Sequence, residues 1–176
     1  QTDDIDALRD ERSRISDSLG ELRSKITTIE KQAVEEFNEH MELVLDLLEY
    51  DNLERIWIER REPQSSRGAG QDTTTEFRLH VVRKTEGGNV YEDSIDHLSE
   101  SEREVVGLVF ALAGYLVHEV NETLPFILLD SVEAVDSNRI AKLVDYFKQY
   151  TDVLVIALLP EDAQALSEEY YRVTDI

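Results

Sequence analysis

Residues 97–140 decide the fold, and they read HLSESEREVVGLVFALAGYLVHEVNETLPFILLDSVEAVDSNRI. A polar turn around Ser99 leads into a long apolar segment. A second apolar run at 126–129 is followed at once by Asp130, and a short acidic loop then ends at Asp136. This order predicts a helix that begins at Ser99, a buried strand that ends in a single acid, and another helix after the loop.

The second half of the chain has the pattern of an α/β fold. Residues 125–129 and 153–159 are continuous apolar runs, which are typical of parallel strands covered on both faces. Residues 137–150 have the amphipathic pattern of a crossover helix between two such strands. A last helix is expected to begin at Pro160. Because ligands of open α/β sheets bind beyond the carboxyl ends of the strands, Asp130 lies where a ligand is expected.

A small antiparallel sheet is predicted upstream of this half. Residues 53–60, 74–84 and 90–95 alternate between apolar and polar side chains, as half-buried strands do. The turn at 86–89 contains two glycines and joins the last two strands as a hairpin. Residues 62–72 contain proline, two serines and two glycines, and they are predicted to form a loop.

The chain begins with a long helical pattern whose apolar positions are spaced alternately three and four residues apart. One charged residue interrupts the series, which consists of Ile5, Leu8, Arg12, Ile15, Leu19, Leu22, Ile26, Ile29 and Ala33. Spacing of this kind, held for about four heptads, predicts a coiled coil with a single partner helix. An amphipathic helix that lies on its own domain is the alternative. A wider apolar stripe over 34–48 indicates that the helix then enters a globular unit.

The composition is strongly acidic, with a formal net charge of −21 over 176 residues and only five lysines. Such a composition is typical of proteins from extreme halophiles, and the apolar runs argue against the alternative of an acidic disordered chain. The charge also argues against nucleic-acid binding by this piece alone, since phosphate binding needs clustered Lys and Arg. The sequence contains no cysteine, no apolar run of membrane-spanning length and no signal peptide pattern. A cytoplasmic location, at the nucleoid for an assembled protein, is therefore expected.

These motifs together resemble the C-terminal half of the ATPase head in the SMC/SbcC-like branch of the ABC ATPases, and in particular archaea-specific SMC-related proteins. The resemblance implies an α/β fold, the C-terminal lobe of an ABC ATPase. That lobe has a mixed sheet with parallel core strands and flanking helices, and a long coiled-coil helix and a small antiparallel sheet precede it. It further implies that residues 1–50 form the coiled-coil helix and its root, and that residues 51–176 form the lobe of the head.

The resemblance also implies roles for individual residues. Residues 98–102 would be the signature motif, which contacts the γ-phosphate of a nucleotide held by the opposite subunit. Asp130 would close the Walker B strand and hold Mg²⁺ through water, and residues 135–137 would be the D-loop. The residues expected to bind the nucleotide are Ser99, Glu100, Ser101 and Asp136.

Each motif also has a simpler explanation that the residues alone leave open. Ser99 and Glu102 have the spacing of a capping box, in which each residue satisfies a backbone N–H of the other at the start of a helix. Asp130 fits an acid at the end of a strand that caps the following turn.

The chain departs from the family pattern at several places, and Glu100 and Ser101 stand where the signature motif of the family has two glycines. Ser131 stands where the family carries its catalytic glutamate, so Glu133 is the candidate catalytic base, with a solvated loop residue as the alternative. No histidine follows the strand predicted at 153–159, where the family has a switch histidine. No glycine-rich phosphate-binding loop, or Walker A motif, occurs in the sequence.

The chain is therefore expected to contribute at most half of an ATPase site and to be inactive alone. It would supply a signature motif and a Walker B acid to a composite site for ATP and Mg²⁺. Its expected partners are an N-terminal head lobe with Walker A and an outgoing coiled-coil helix, and a second copy of the head; DNA would bind through the whole assembly, and no membrane is involved. Head engagement of this kind implies chromosome organisation or DNA repair. The alternative is a non-catalytic coiled-coil interaction or scaffold protein with a degenerate ABC-like lobe.

Overall fold

A single helix, α1 (Thr2–Leu48), forms the first quarter of the chain. The computed structural model describes residues 2–62, 75–130, 132 and 134–174. In the first part of α1 the apolar residues are 48–70% exposed, and they are Ile5, Leu8, Ile15, Leu19, Leu22, Ile26 and Ile29. In its last turns Met41, Val44 and Leu48 are fully buried. The last turns of α1 therefore belong to the core of the lobe, while the division of the chain at residue 50 stays a prediction.

Three antiparallel strands follow in the order β1 (Leu53–Arg61), β2 (Glu76–Lys84) and β3 (Val90–Asp93). The Asn38 side chain anchors α1 to the edge strand β1, because its amide accepts from the Ile58 N–H at 2.6 Å and donates to the Ile58 carbonyl at 3.0 Å. Gly88 has a φ of +80° in the turn between β2 and β3, where a side chain would strain the backbone. The loop predicted over 62–72 lies, beyond Glu62, outside the described residues.

The predicted α/β unit is present in the second half. A 3₁₀ turn (Ile95–His97) leads into α2 (Glu100–Val117), and a single turn of helix, α3 (Val120–Thr123), precedes β4 (Phe126–Leu129). The crossover helix α4 (Ser137–Phe147) joins β4 to the parallel strand β5 (Val153–Ile156). The last helix predicted from Pro160 is wrong in type, because only a 3₁₀ turn (Asp162–Ala165) forms there. The Arg172 guanidinium donates to the carbonyls of Ala163 and Leu166 at 3.2 Å each and holds this segment in a tight bend.

The core lies between the last turns of α1, the inner faces of α2 and α4, and one face of each sheet. Its members are almost all aliphatic, and the most deeply buried are Met41, Val44, Leu48, Ile56, Val81, Val105, Val109 and Phe147. The parallel strands contribute Ile127 and Leu129. No helix in the described part of the chain is both long and apolar enough to cross a membrane.

The prediction that both faces of the parallel strands are covered is wrong for this chain. Burial alternates along β4, so that Ile127 is 7% exposed whereas Leu128 is 61% exposed. Phe126, Val153 and Val155 are likewise 41–48% exposed. The reason is that α2 and α4 pack on one face of the pair, and within the described residues no element packs on the other face. The lobe thus presents an uncovered apolar sheet face, formed by Phe126, Leu128, Val153 and Val155.

Candidate functional site

The turn before α2 is built around a complete capping box. The Ser99 hydroxyl oxygen accepts from the Glu102 N–H at 3.3 Å, and the Glu102 carboxylate accepts from the Ser99 N–H at 2.8 Å. The Ser99 hydroxyl also donates to the same carboxylate oxygen at 2.8 Å. The capping explanation of these two residues is therefore correct, and it fixes Ser99 at the exposed start of the helix.

The turn has an outer side that faces solvent. Ser99 and Glu100 are exposed and Ser101 is half-buried. No hydrogen bond in the described structure engages the backbone N–H groups of Glu100 and Ser101. Because the N-terminus of a helix carries a partial positive charge, this side suits an anion, although the Glu100 carboxylate places a like charge beside it.

Glu102 points the other way, into the lobe, and is only 2% exposed. Its second carboxylate oxygen accepts from the Arg83 guanidinium at 2.7 Å. Burial favours the neutral acid and raises the pKa of Glu102, but the hydrogen bonds from Ser99 and the charge of Arg83 outweigh burial and hold the pKa below its ordinary value. Glu102 is therefore a buried, charged anchor of the turn.

Arg83 extends this anchor to the small sheet. Its guanidinium also donates to Asp93 at 3.1 Å, and the other oxygen of Asp93 lies 2.8 Å from His97 Nδ1. Hydrogen bonds from His97 and Arg83 hold the pKa of Asp93 below its ordinary value. The sequence analysis did not identify Arg83 as a site residue. The available signal was its place in the alternation of β2, since it follows Leu79 and Val81 on the core side of the strand and is charged.

Asp130 lies at the carboxyl end of β4, as predicted. The adjacent backbone is fixed by the parallel pairing, in which the Ala157 N–H donates to the Leu129 carbonyl at 2.9 Å. The predicted buried strand before Asp130 is buried on one face only, because Phe126 and Leu128 are exposed and Asp130 is exposed with them. The cost of burying a charge therefore gives no support to a metal role. Ser131 and Glu133, the candidate catalytic base, lie outside the described residues.

Asp136 is the N-cap of α4. One of its carboxylate oxygens accepts from the N–H groups of Asn138 and Arg139 at 3.0 and 3.2 Å, and the other lies 3.0 Å from Arg139 Nε. Arg139 also lies 3.6 Å from Asp51, just beyond the end of α1. The acid of the predicted D-loop is thereby tied to α4 and to the end of the long helix.

The donor groups fit a magnesium ion held mainly by a nucleotide. Among the described residues no group of three or more His, Cys, Asp or Glu side chains is arranged to hold a metal ion. Mg²⁺ at nucleotide sites takes most of its ligands from phosphates and water and needs only one or two carboxylates. The exposed Asp130 at a strand end is compatible with that role.

Comparison with known proteins identifies the relatives of this chain, although no protein-family model matches it. It is 64% identical over 152 residues to the Smc-like protein Sph3 of Haloferax volcanii, which covers 86% of this chain and 23% of the relative. It is 57% identical over 148 residues to the Smc-like protein Sph2 of Halobacterium salinarum, at 82% of this chain and 22% of the relative. The chain thus spans less than a quarter of the length of these two relatives.

The solved structures that it resembles are SMC heads. The Smc head domain of Pyrococcus furiosus with an extended coiled coil, bound to the C-terminal domain of ScpA, matches with a TM-score of 0.63 at 16% identity, over 92% of this chain and 37% of that one. A structure from a study of ATP-driven dimerization and DNA-stimulated activation of SMC ATPases matches with a TM-score of 0.53 at 16% identity, over 85% and 83% of the two chains. The predicted family and fold class are confirmed. The chain is an SMC-like segment, related over most of its length to archaeal Smc-like proteins, and it has the α/β fold of part of an SMC head domain.

Proposed function

We propose that the chain is the C-terminal lobe of an SMC-like ATPase head and supplies a signature motif and a Walker B acid to a composite ATP site. The observation that carries this proposal is the turn at Ser99, which an internal carboxylate holds at the exposed N-terminus of α2. A fixed turn with hydrogen-bond donors on its outer side suits the phosphates of a nucleotide presented by another subunit.

In this proposal the nucleotide contacts come from Ser99, Glu100 and Ser101, and Asp136 completes the interface as the D-loop acid. Asp130 holds Mg²⁺ through water. Glu133 is the proposed base for hydrolysis, in place of the glutamate that the family carries at the position of Ser131. ATP with its Mg²⁺ would supply a phosphate group for the N–H donors at the turn, and residues of this lobe would position that group.

The missing half of the head is proposed to lie against the uncovered apolar sheet face. Four half-exposed apolar side chains on two paired strands would extend a core if a partner covered them. An N-terminal lobe that carries Walker A is the proposed partner, consistent with a chain that spans less than a quarter of the relatives it matches. The outgoing coiled-coil helix from that lobe would pair with the exposed seam of α1. Residues 1–50 would then serve as the coil with its root, and residues 51–176 as the head lobe.

At the level of the whole protein, two engaged heads and two coils would act in chromosome organisation or DNA repair, in the cytoplasm at the nucleoid. DNA would bind to the assembly and not to this acidic lobe alone. The similar solved structures support a role of this kind, since one is an Smc head bound to ScpA and another comes from a study of DNA-stimulated activation of SMC ATPases.

The first prediction tests the Walker B assignment in the full-length protein. Asp130→Ala should abolish Mg²⁺-dependent ATP binding or ATP-dependent head pairing, because the metal loses the carboxylate that the Walker B assignment gives it. Nucleotide binding and sedimentation in molar KCl measure both. Asp152→Ala is the matched control, since this exposed acid lies just before β5, at the opposite ends of the parallel strands. Equal binding and hydrolysis by the Asp130→Ala protein would contradict the assignment and favour the scaffold alternative.

Two further variants separate the steps of the same site. Ser99→Arg should block head pairing while the lobe stays folded, because it places bulk at the interface and the lost cap costs only about 1 kcal/mol. If Glu133 is the base, Glu133→Gln should slow turnover and prolong the ATP-bound paired state. A Glu133→Gln protein with unchanged turnover would remove Glu133 from the mechanism.

A further inference from the structure

One guanidinium links the small antiparallel sheet to the turn at Ser99. Arg83 lies on β2, and its two terminal nitrogens donate to different carboxylates, Asp93 on β3 at 3.1 Å and Glu102 on α2 at 2.7 Å. Asp93 in turn holds His97 and the Ser94 N–H, each at 2.8 Å. The segment from Ser94 to Glu102 is therefore held at both ends through the same side chain.

The carboxylate of Glu102 is divided between two tasks. One oxygen accepts from the N–H and the hydroxyl of Ser99, and the other accepts from Arg83. A carboxylate that is 2% exposed stays charged inside a protein only while a cation and hydrogen bonds compensate for the lost water. Without the guanidinium, Glu102 would turn toward solvent and lose its hydrogen bonds to Ser99. The orientation of Ser99 therefore depends on Arg83.

The same contacts limit what Glu102 can do. It occupies the last position of the motif 98–102, but its side chain is directed into the lobe, where Ser99 and Arg83 engage both of its carboxylate oxygens. It is therefore not available to a ligand on the outer side of the turn, and its contribution is to hold Ser99 in place.

We propose that Arg83 is a positioning residue of the composite ATP site: it fixes the signature turn by holding Glu102 inside the lobe, and thereby sets the affinity with which two ATP-bound heads pair. This inference rests on the proposed function of the turn. The small sheet carries none of the proposed nucleotide-contacting residues, but through Arg83 it controls the geometry of the site.

The test uses the full-length protein in molar KCl. Arg83→Met keeps an unbranched apolar stem but removes the charge and every donor, so ATP-dependent head pairing should weaken by about tenfold or more. ATP binding by unpaired heads should stay within about twofold of the wild type, since Arg83 does not touch the nucleotide held by its own head. Arg78→Met is the matched control on the same strand, because Arg78 is half exposed and lies 3.5 Å from the exposed Glu76. It should pair like the wild type.

A second substitution distinguishes positioning from a general loss of structure. In Arg83→Met with Glu102→Gln, the glutamine keeps the capping box but removes the stranded charge, so pairing should return to within about threefold of the wild type. Arg83→Lys keeps one cation but cannot bridge two carboxylates as a planar fork, and an intermediate loss is expected. This variant serves if Arg83→Met does not fold.

Wild-type pairing by Arg83→Met or Arg83→Lys would overturn the inference, as would a double variant that pairs as weakly as Arg83→Met. If the wild-type protein itself shows no ATP-dependent pairing, the proposed function fails and this inference fails with it. The two failures are distinguishable because the first leaves wild-type pairing intact.

Discussion

At the scale of single residues, Glu102 shows which contacts a sequence reveals. The spacing of Ser99 and Glu102 predicts the capping box because both partners lie within one helical turn. Arg83, the third partner, is separated from Glu102 by 19 positions, and its contact depends on how β2 and α2 pack. Nothing local in the sequence specifies that distance. Asp130 shows the reverse case, since its position at a strand end was predictable but its exposure depends on what covers the sheet.

A second prediction follows from the lowered pKa of Glu102. Because its pKa in the folded state lies below the ordinary value of 4.5, its charged form stabilises the fold fully above that pH, and this contribution is lost as the pH falls through the lower value. Glu102→Gln should therefore lower the free energy of unfolding by about 1 kcal/mol at pH 7, which is about 2–4 °C in melting temperature. The difference from the wild type should shrink below pH 4.5.

Thermal melts across pH measure this effect. Glu104→Gln, an exposed acid on the same helix, controls for the general loss of one negative charge. A deficit of Glu102→Gln that is equal at pH 4 and pH 7 would contradict the linkage.

At the scale of helices and strands, periodicity predicted the element types well and their surroundings less well. The heptad series in α1 and the apolar runs of β4 and β5 fixed what these elements are. A continuous apolar run is typical of a strand with both faces covered, whereas the described residues cover only one face here. The wider apolar stripe over 34–48 indicated where α1 enters the core, and α1 continues unbroken into it from the exposed seam.

A third prediction concerns the exposed seam of α1. Replacing both Leu19 and Leu22 with lysine in the full-length protein should abolish pairing with the partner helix, since charges would enter the apolar seam. The lobe itself should melt within about 2 °C of the wild type, because both side chains are about half exposed and touch no core residue of the lobe. Circular dichroism and analytical ultracentrifugation measure folding and pairing.

Ser18→Lys with Ser24→Lys is the control, since both serines are exposed and lie off the seam. Unfolding of the whole lobe by the Leu19 and Leu22 substitutions would show that α1 packs along its own domain, which is the alternative that the sequence left open.

At the scale of the whole molecule, charge is the dominant property. A net charge of −21 on 176 residues repels itself across a surface of this size, and the two relatives named above come from haloarchaea. The prediction of a halophilic protein rests on this composition alone. The composition did not predict which sheet face of the lobe is uncovered, because charge and composition carry no information about how the elements pack.

A fourth prediction is that this chain gains stability as KCl rises from about 0.1 M to the molar range, because the Debye length falls from about 10 Å to about 3 Å. The melting temperature should rise by roughly 5 °C or more, which differential scanning calorimetry measures. Sodium chloride at equal concentration should act alike, since screening does not distinguish the cations. A constant or falling midpoint would remove the argument from acidic self-repulsion.

The uncovered apolar sheet face favours aggregation of the lobe, and high salt increases this tendency. Mutual repulsion keeps acidic molecules apart in solution, and salt screens that repulsion. The exposed apolar side chains of Phe126, Leu128, Val153 and Val155 can then contact another molecule. Under the conditions that favour its fold, the unpaired lobe is therefore most prone to stick to other copies of itself. The rates of correct assembly and of aggregation therefore compete. If the proposed companion lobe covers this face, its docking soon after synthesis would raise the yield of functional heads.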